Sequence, residues 1–320
     1  MGLTAESIRF LLEARRSGAS FEKVLTLGRQ DLWVGPERLL ALLREFDGAQ
    51  PAAAEAEMKR RLHAATWRAG AFFRLLGAAE VMSCDASAYE GAELIHDLNQ
   101  PLPPEWREQF DLVLDGGTLE HVFNLPTALA SCMQLAKPGG RVVFFTPANN
   151  YCGHGFYQFS PELFWRAFGP ANGFQIERFQ AMVDTAGFAS LFGVKYAFPI
   201  TGTRWDVSDP AQIGQRVLLV NDAPVLLFVQ ARKIASVEPF QNWPQQSDYT
   251  AQWHDGSPLK PLAATTTGGG LAGWLLKRFP ESFCRELLPR LAGWITPLRQ
   301  RRFLRSLSFA NRTAYRRARK

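Results

Sequence analysis

The residues that could do chemistry fall into two groups. Asp85, Asp97 and Asp115 each close a short apolar run (EVMSC, ELIH and FDLVL), and His154 stands between two glycines in residues 149–161, a stretch crowded with Tyr151, Phe156, Tyr157, Gln158 and Phe159. A carboxylate that ends the second strand of a nucleotide-binding unit can accept hydrogen bonds from both hydroxyls of a ribose, which suits Asp85; Asp97, in His96-Asp97-Leu98-Asn99, suits an adenine amino group. Turn formation is the competing explanation, since Asp and Asn commonly open turns after strands. It accounts for either residue alone, and less well for both at successive strand ends. Asp115-Gly116-Gly117 would form a turn whose backbone can approach a ligand closely. Glu120 and His121 then open the following helix, where a Glu complements the helix dipole and a His either acts or packs. An imidazole with an ordinary pKa near ~6.5 can take a proton at neutral pH, so His154 is the first candidate general base, with His121 as second and Tyr157 beside it. The alternative for the aromatic loop is a packed lid, with Phe156 and Phe159 turned inward.

The elements that must position these residues follow from periodicity. Residues 4–16 read as a short amphipathic helix, residues 21–27 (FEKVLTL) as a strand ending at Gly28, and residues 37–46 and 55–76 as helical. From Gly77 onward the pattern changes to short apolar runs separated by helix-length segments, as in a parallel sheet. Strands are expected at residues 80–84, 93–96, 110–114 and 141–146, with a crossover helix over 126–136 that Lys137-Pro138-Gly139-Gly140 stops. A helix beginning at Ser160-Pro161, a strand over 174–183 and a last strand over 225–231 complete the pattern. The fold class expected is α/β, Rossmann-like and doubly wound, with a mostly parallel sheet.

The stretch from Gly77 to Phe174 resembles class I S-adenosylmethionine-dependent methyltransferases. The residues that carry the resemblance are LGAAEVMSCDAS, HDLNQPLP, FDLVLDGGTLEHVFN, LAKPGGRVVFFTPAN and Gly173-Phe174, and bacterial members with a GHGFYQFSPE segment, here Gly153 to Glu162, are the nearest in pattern. The resemblance implies a seven-stranded sheet whose last strand, residues 225–231, runs antiparallel. It also implies S-adenosylmethionine as cofactor, held by Gly28, Asp85, Asp97, Asp115, Gly116, Gly117 and Glu120, with His154, His121 and Tyr157 on the acceptor side. One departure stands out: the glycine-rich turn after the first strand is reduced to Gly28 in Leu27-Gly28-Arg29-Gln30, and about 50 residues separate it from the second strand, longer than the usual βα connection. A nicotinamide dehydrogenase is disfavoured because G-x-G-x-x-G is missing.

Composition narrows the rest. The 320 residues are 47% hydrophobic, enough for a large core. Cys84, Cys132, Cys152 and Cys284 are scattered, with no C-x-x-C and no His at metal-ligand spacing, so no metal is expected and a cytoplasmic setting fits. No signal peptide or membrane-spanning segment is expected. The net charge of +6 is concentrated at one end: residues 287–320 hold ten Arg or Lys and no acid, which leaves the remainder at −4. Residues 1–235 are therefore read as the α/β domain, 236–270 as a linker, and 271–320 as a basic amphipathic tail that could lie against an anionic membrane surface. Nucleic acid is not an expected partner, because no binding motif accompanies the charge. The expected activity is methyl transfer to a small-molecule or glycan acceptor. The alternatives are a methyltransferase-like binding protein without catalysis, or a membrane-surface component of an envelope glycan pathway.

Overall fold

The computed structural model describes residues 2–48, 51–64, 68–183, 203–214, 216–221, 223–255 and 308–318. Two compact units divide the chain, one of residues 1–206, 222–244 and 317–320, the other of 207–221 and 245–316.

The first unit opens with β1 (Gly2–Thr4) and α1 (Ala5–Arg16), followed by β2 (Lys23–Leu27), β3 (Asp31–Trp33), α2 (Pro36–Asp47), α3 (Ala52–Ala64) and α4 (Ala69–Leu75). The α1 helix starts where it does because the Thr4 hydroxyl accepts from the Ser7 amide, and Arg15 and Arg16 sit in its last turn. Next come β4 (Glu80–Asp85), β5 (Leu94–Ile95), β6 (Phe110–Asp115), α5 (Leu125–Leu135), β7 (Ala136–Pro147), α6 (Pro161–Ala167), β8 (Phe174–Val183), β9 (Arg204–Val207) and β10 (Val225–Lys233). The strands order β9-β8-β10-β7-β6-β2-β4-β5. The pairs β2–β4, β2–β6, β4–β5 and β6–β7 are parallel, while β10 runs antiparallel to both β7 and β8.

This is the expected doubly wound architecture with the antiparallel last strand in its expected place. The sheet is wider than the seven strands anticipated, because β9 pairs antiparallel with the outer edge of β8. Alternation along the strands separates two cores. Leu112, Leu114, Val143, Phe145 and Phe228 join one buried cluster with Ile8, Phe10, Leu40 and Phe72 of the helices. On the opposite face Phe144 meets Phe164 and Phe168, with ring centroids 5.2 and 5.0 Å apart.

Four local expectations are corrected. The helix expected over 55–76 is two helices: Arg68, between them, bridges to Asp31 and pairs with its carboxylate at 2.7 Å. The strand expected at 93–96 shortens to Leu94–Ile95. The strand expected at 141–146 begins earlier, at Ala136, so Lys137-Pro138-Gly139-Gly140 follows the end of the crossover helix as expected but lies within β7, where a register shift between Phe110 and Leu112 and a left-handed Gly139 (φ 81°) absorb the irregular backbone. The residues read as a linker contain α8 (Ser247–Asp255) of the second unit, where Arg216 pairs with Asp248 at 2.5 Å; α7 (Pro210–Ile213) and part of β11 (Tyr315–Arg317) also belong there. The basic tail expected over 271–320 lies, apart from residues 308–318, outside the described residues.

A partly buried ion cluster joins α1 to β8 and β9. Arg204 donates to both carboxylate oxygens of Glu13 at 2.6 and 2.9 Å, Arg178 also bonds Glu13, and the Arg178 guanidinium lies 3.9 Å from the Phe10 ring centre. Burial alone would raise the Glu13 pKa, but Arg204 and Arg178 outweigh it and hold the carboxyl below the usual carboxylate range. The folded pKa is thus the lower one, so this contribution to stability is full above the ordinary carboxylate range and is lost as pH falls through the folded value. Replacing Glu13 by Ala leaves Arg204 buried without its main partner and is expected to cost about 3 kcal/mol of unfolding free energy. Urea denaturation at pH 7 measures it, with Arg15→Ala, which breaks an exposed pair with Asp47, as a control that should cost at most about 1 kcal/mol.

Candidate functional site

Parallel register brings the strand-end residues into one row. Leu27 at the end of β2 is opposite Cys84 of β4 on one side and Asp115 of β6 on the other. Asp85 follows Cys84 directly, and with neighbouring strands ~4.8 Å apart it stands roughly 10 Å from Asp115. Between β4 and β6 lies β2, where the strand order reverses, and ligands of open α/β sheets bind at such a point. Gly28 turns the chain away there with φ 65°, and its amide donates to the Cys84 carbonyl at 2.7 Å.

Asp85 is half-buried, with Oδ1 accepting from the Ser87 amide at 3.3 Å. Asp97 is exposed in a turn, its Oδ1 accepting from the Asn99 amide and side chain at 2.9 and 2.8 Å. Asn99 in turn takes the Asn124 amide at 2.8 Å, which joins the loop after β5 to the loop after β6. Asp115 is fully buried and caps the turn that follows it, accepting from the Thr118 and Leu119 amides at 2.8 and 3.4 Å. The Thr118 hydroxyl donates to the Leu27 carbonyl at 2.8 Å, so the 115–118 turn is fastened to the end of β2. Gly116 and Gly117 are in that turn, Gly117 with φ 99°.

Sequence reasoning passed over Gln30. Its side chain donates to the Leu27 carbonyl at 2.8 Å, is almost wholly buried, and fills the space beside Gly116, where a Cβ would come within 2.4 Å of its Oε1. That Oε1 is buried without a hydrogen-bond partner. The only sequence signal was its place two residues after Gly28. A cavity of about 430 Å³ opens next to it, between β2, β4 and the start of α4, with Arg29, Arg68 and Arg74 facing Glu90 and Glu93 in its walls. Asp85, Asp97 and Asp115 do not line that cavity.

The second group sits beyond the row. Leu119–His121 forms a single 3₁₀ turn, and the loop after β7 folds over it: the Glu120 carbonyl accepts from the Phe156 and Tyr157 amides at 2.8 and 3.2 Å. Glu120 is buried, whereas His121 and His154 are about half exposed. Glu120 Oε1 lies 3.5 Å from His154 Nε2 and 4.0 Å from His121 Nε2, and the two imidazole centres are 5.4 Å apart. Burial raises the Glu120 pKa, with the Asp115 charge adding to it, and burial likewise raises that of Asp115. Burial lowers the His121 pKa, helped by His154. The Tyr157 hydroxyl donates to the Phe123 carbonyl at 2.7 Å. The aromatic loop is divided: Phe159 is buried, but Phe156 is 65% exposed and meets the equally exposed Phe123 edge-on at 5.6 Å.

Glu120 and His121 thus belong with His154 rather than with the strand-end row. The 32 residues between His121 and His154 concealed that Glu120 joins the two imidazoles, because metal-ligand and catalytic spacings are read locally in sequence, whereas these loops meet only because β6 and β7 are adjacent.

Residues 69–144, from the start of α4 to the middle of β7, match a family model described as a methyltransferase domain. The match spans 76 of the 320 residues, about a quarter of the chain. No curated protein sequence matches the chain. Among solved structures it is similar to the YcgJ protein of Bacillus subtilis, at 12% identity over 72% of this chain and 99% of the other, with a TM-score of 0.36. It is also similar to an S-adenosylmethionine-dependent methyltransferase of Mesorhizobium loti, at 17% identity over 72% and 98%, with a TM-score of 0.32.

The chemistry of the strand-end row is compatible with S-adenosylmethionine, the cofactor that the sequence resemblance implies. An ammonium donor can meet the unpartnered Gln30 Oε1, and a ribose diol can meet the half-buried Asp85 carboxylate. Among the described residues no helix is long and apolar enough to cross a membrane.

The joint between the two loops is directly testable. A Cβ on Gly155 would stand 2.7 Å from the Glu120 carbonyl oxygen, and backbone must move to admit it. Gly155→Ala is expected to free the Phe156 and Tyr157 amides, with hydrogen exchange at both faster by roughly tenfold or more and the protection of the β6 and β7 amides unchanged.

Proposed function

We propose that this methyltransferase methylates a heteroatom of a small-molecule or glycan acceptor, with the cofactor held by the strand-end row and the acceptor received at the Glu120–His121–His154 cluster. The observation that carries the reading is the convergence of two loops. The 115–118 turn, fastened to β2, continues within a few residues into the turn that places Glu120 beneath both imidazoles.

The cofactor supplies a methyl group on a positively charged sulfur. What remains for the protein is alignment and management of the acceptor's proton. Asp85 is assigned the ribose hydroxyls, Asp97 the adenine edge, Gly28 and Gly116-Gly117 the close backbone approach, and Gln30 the amino end. Asp115 works through the backbone: its carboxylate holds the Thr118 and Leu119 amides and thereby the shape of the turn. His154 and His121 face solvent at the mouth, with Tyr157 tied to the Phe123 carbonyl beside them. The exposed Phe123–Phe156 pair offers the acceptor an apolar wall.

One observation favours a second reading, a methyltransferase-like binding protein without turnover. The Gly28 amide is already bonded to Cys84, and Gln30 occupies the space against Gly116 that a glycine-rich turn would leave open. Calorimetry with S-adenosylmethionine and its demethylated product, followed by transfer of labelled methyl into cell extract, separates the two: binding without transfer supports the second.

Two substitutions test the assignment of roles. Asp85→Ala is expected to weaken cofactor binding roughly tenfold or more, the loss of charge-assisted hydrogen bonds; equal affinity in the variant would remove Asp85 from the site. His154→Ala is expected to lower kcat by about 10²-fold with calorimetric affinity for the cofactor within about twofold of the parent, and an unchanged kcat would remove His154 from the acceptor side.

A further inference from the structure

The cluster at the acceptor mouth has the composition and spacing of a metal site. Glu120 contributes one carboxylate, and His121 and His154 one Nε2 each; a ligand atom from each of the three lies within 4.8 Å of the others. Donors on a first-row divalent ion at about 2.1 Å and near 90–109° stand roughly 3.0–3.4 Å apart. The Glu120–His154 separation of 3.5 Å is almost there, and the Glu120–His121 separation of 4.0 Å needs a small ring movement. Half-exposed imidazoles can make that movement while the carboxylate stays fixed.

Glu120 supplies the independent observation. It is 1% exposed, its Oε2 is buried with no hydrogen-bond partner, and among the described residues its ion-pair contacts are the two imidazoles alone. A buried carboxylate so placed lacks the donors that normally offset its desolvation. Its backbone carbonyl is nonetheless clamped by two amides from the loop that carries His154. The carboxylate is thus held in place while one of its oxygens has no hydrogen-bond partner among the described residues.

We propose that Glu120, His121 and His154 bind one divalent transition-metal ion. Two imidazoles and a carboxylate select the Mn–Fe–Co–Ni–Zn group over Mg²⁺ and Ca²⁺, which prefer all-oxygen sets. Both imidazoles are about half exposed, so the remaining coordination positions are open to solvent and to an acceptor. There the ion can take an acceptor oxygen and lower the pKa of its hydroxyl, whose proton leaves to water; the oxygen lone pair then bonds the methyl carbon as the carbon–sulfur bond of the sulfonium breaks and its electron pair leaves with the now neutral sulfur. The metal site stands on geometry alone; its service to the acceptor rests on the methyl-transfer reading and narrows the acceptor to one bearing a ligating hydroxyl.

The test uses the full chain, freed of metal with a chelator and titrated with Co²⁺ and Zn²⁺. Expected are 1:1 binding by calorimetry and the visible absorption of Co²⁺ in a nitrogen and oxygen ligand field. His121→Ala and His154→Ala should each weaken Co²⁺ binding at least roughly tenfold, and the double variant should abolish the visible bands, with unchanged circular dichroism showing an intact fold. The absence of stoichiometric binding to the parent protein overturns the proposal, as does equal binding by the double variant. Cofactor calorimetry on the same samples is read separately: metal binding without cofactor binding sinks the methyl-transfer reading and leaves the site standing, and the reverse result does the opposite.

Discussion

The structure depends on the position of β2. This strand is paired in parallel on both sides, with β4 and with β6, and its last residue, Leu27, is the point to which neighbouring loops attach. The Leu27 carbonyl takes the Thr118 hydroxyl and the Gln30 amide, while the next residue, Gly28, donates to Cys84. A one-residue slip in any of these pairings would invert every side chain on the slipped strand and would move Asp85 or Asp115 off the row. The site is therefore specified first by core packing along the strands and only then by the polar residues at their ends.

From that constraint two regions of different character arise. The strand-end row is built on backbone: carbonyls and amides of Leu27, Gly28 and Cys84 and the capped turn at Asp115. The acceptor cluster is built on side chains from two loops, with Glu120 as a buried post and two imidazoles above it. Asp115 is common to both, since its carboxylate holds the turn whose continuation carries Glu120 and His121. Burial raises the pKa of both acids, and the Asp115 charge raises that of Glu120 further.

Much of this was legible in the sequence, for identifiable reasons. Short apolar runs ending in Asp85 and Asp115 announced parallel strands, because a strand buried on both faces must be apolar throughout while its end is free to be polar. The 174–183 strand and the start of the last strand at Val225 were read at their observed positions. The extra edge strand β9 was missed, since four residues with one charged pair (RWDV) carry no clear alternation. The break between α3 and α4 was invisible because Arg68 is a good helix former and leaves the helix only to meet Asp31. In the site, single residues were identifiable by type, but their grouping was not. Glu120 looked like a neighbour of Asp115, and only the adjacency of β6 and β7 shows that its carboxylate faces His154. Gln30 gave no signal of its own, because an isolated Gln in a loop is unremarkable until its side chain is seen to be buried beside Gly116.

The Glu13 cluster has a consequence for how the chain reaches its fold. Phe10 finds its ring neighbours in Phe145 and Phe228, and Glu13 finds its cations in Arg178 and Arg204, all distant along the chain. The contacts that seat α1 against the sheet therefore close only after long loops have been drawn together, and their entropy cost falls on the last stages of assembly.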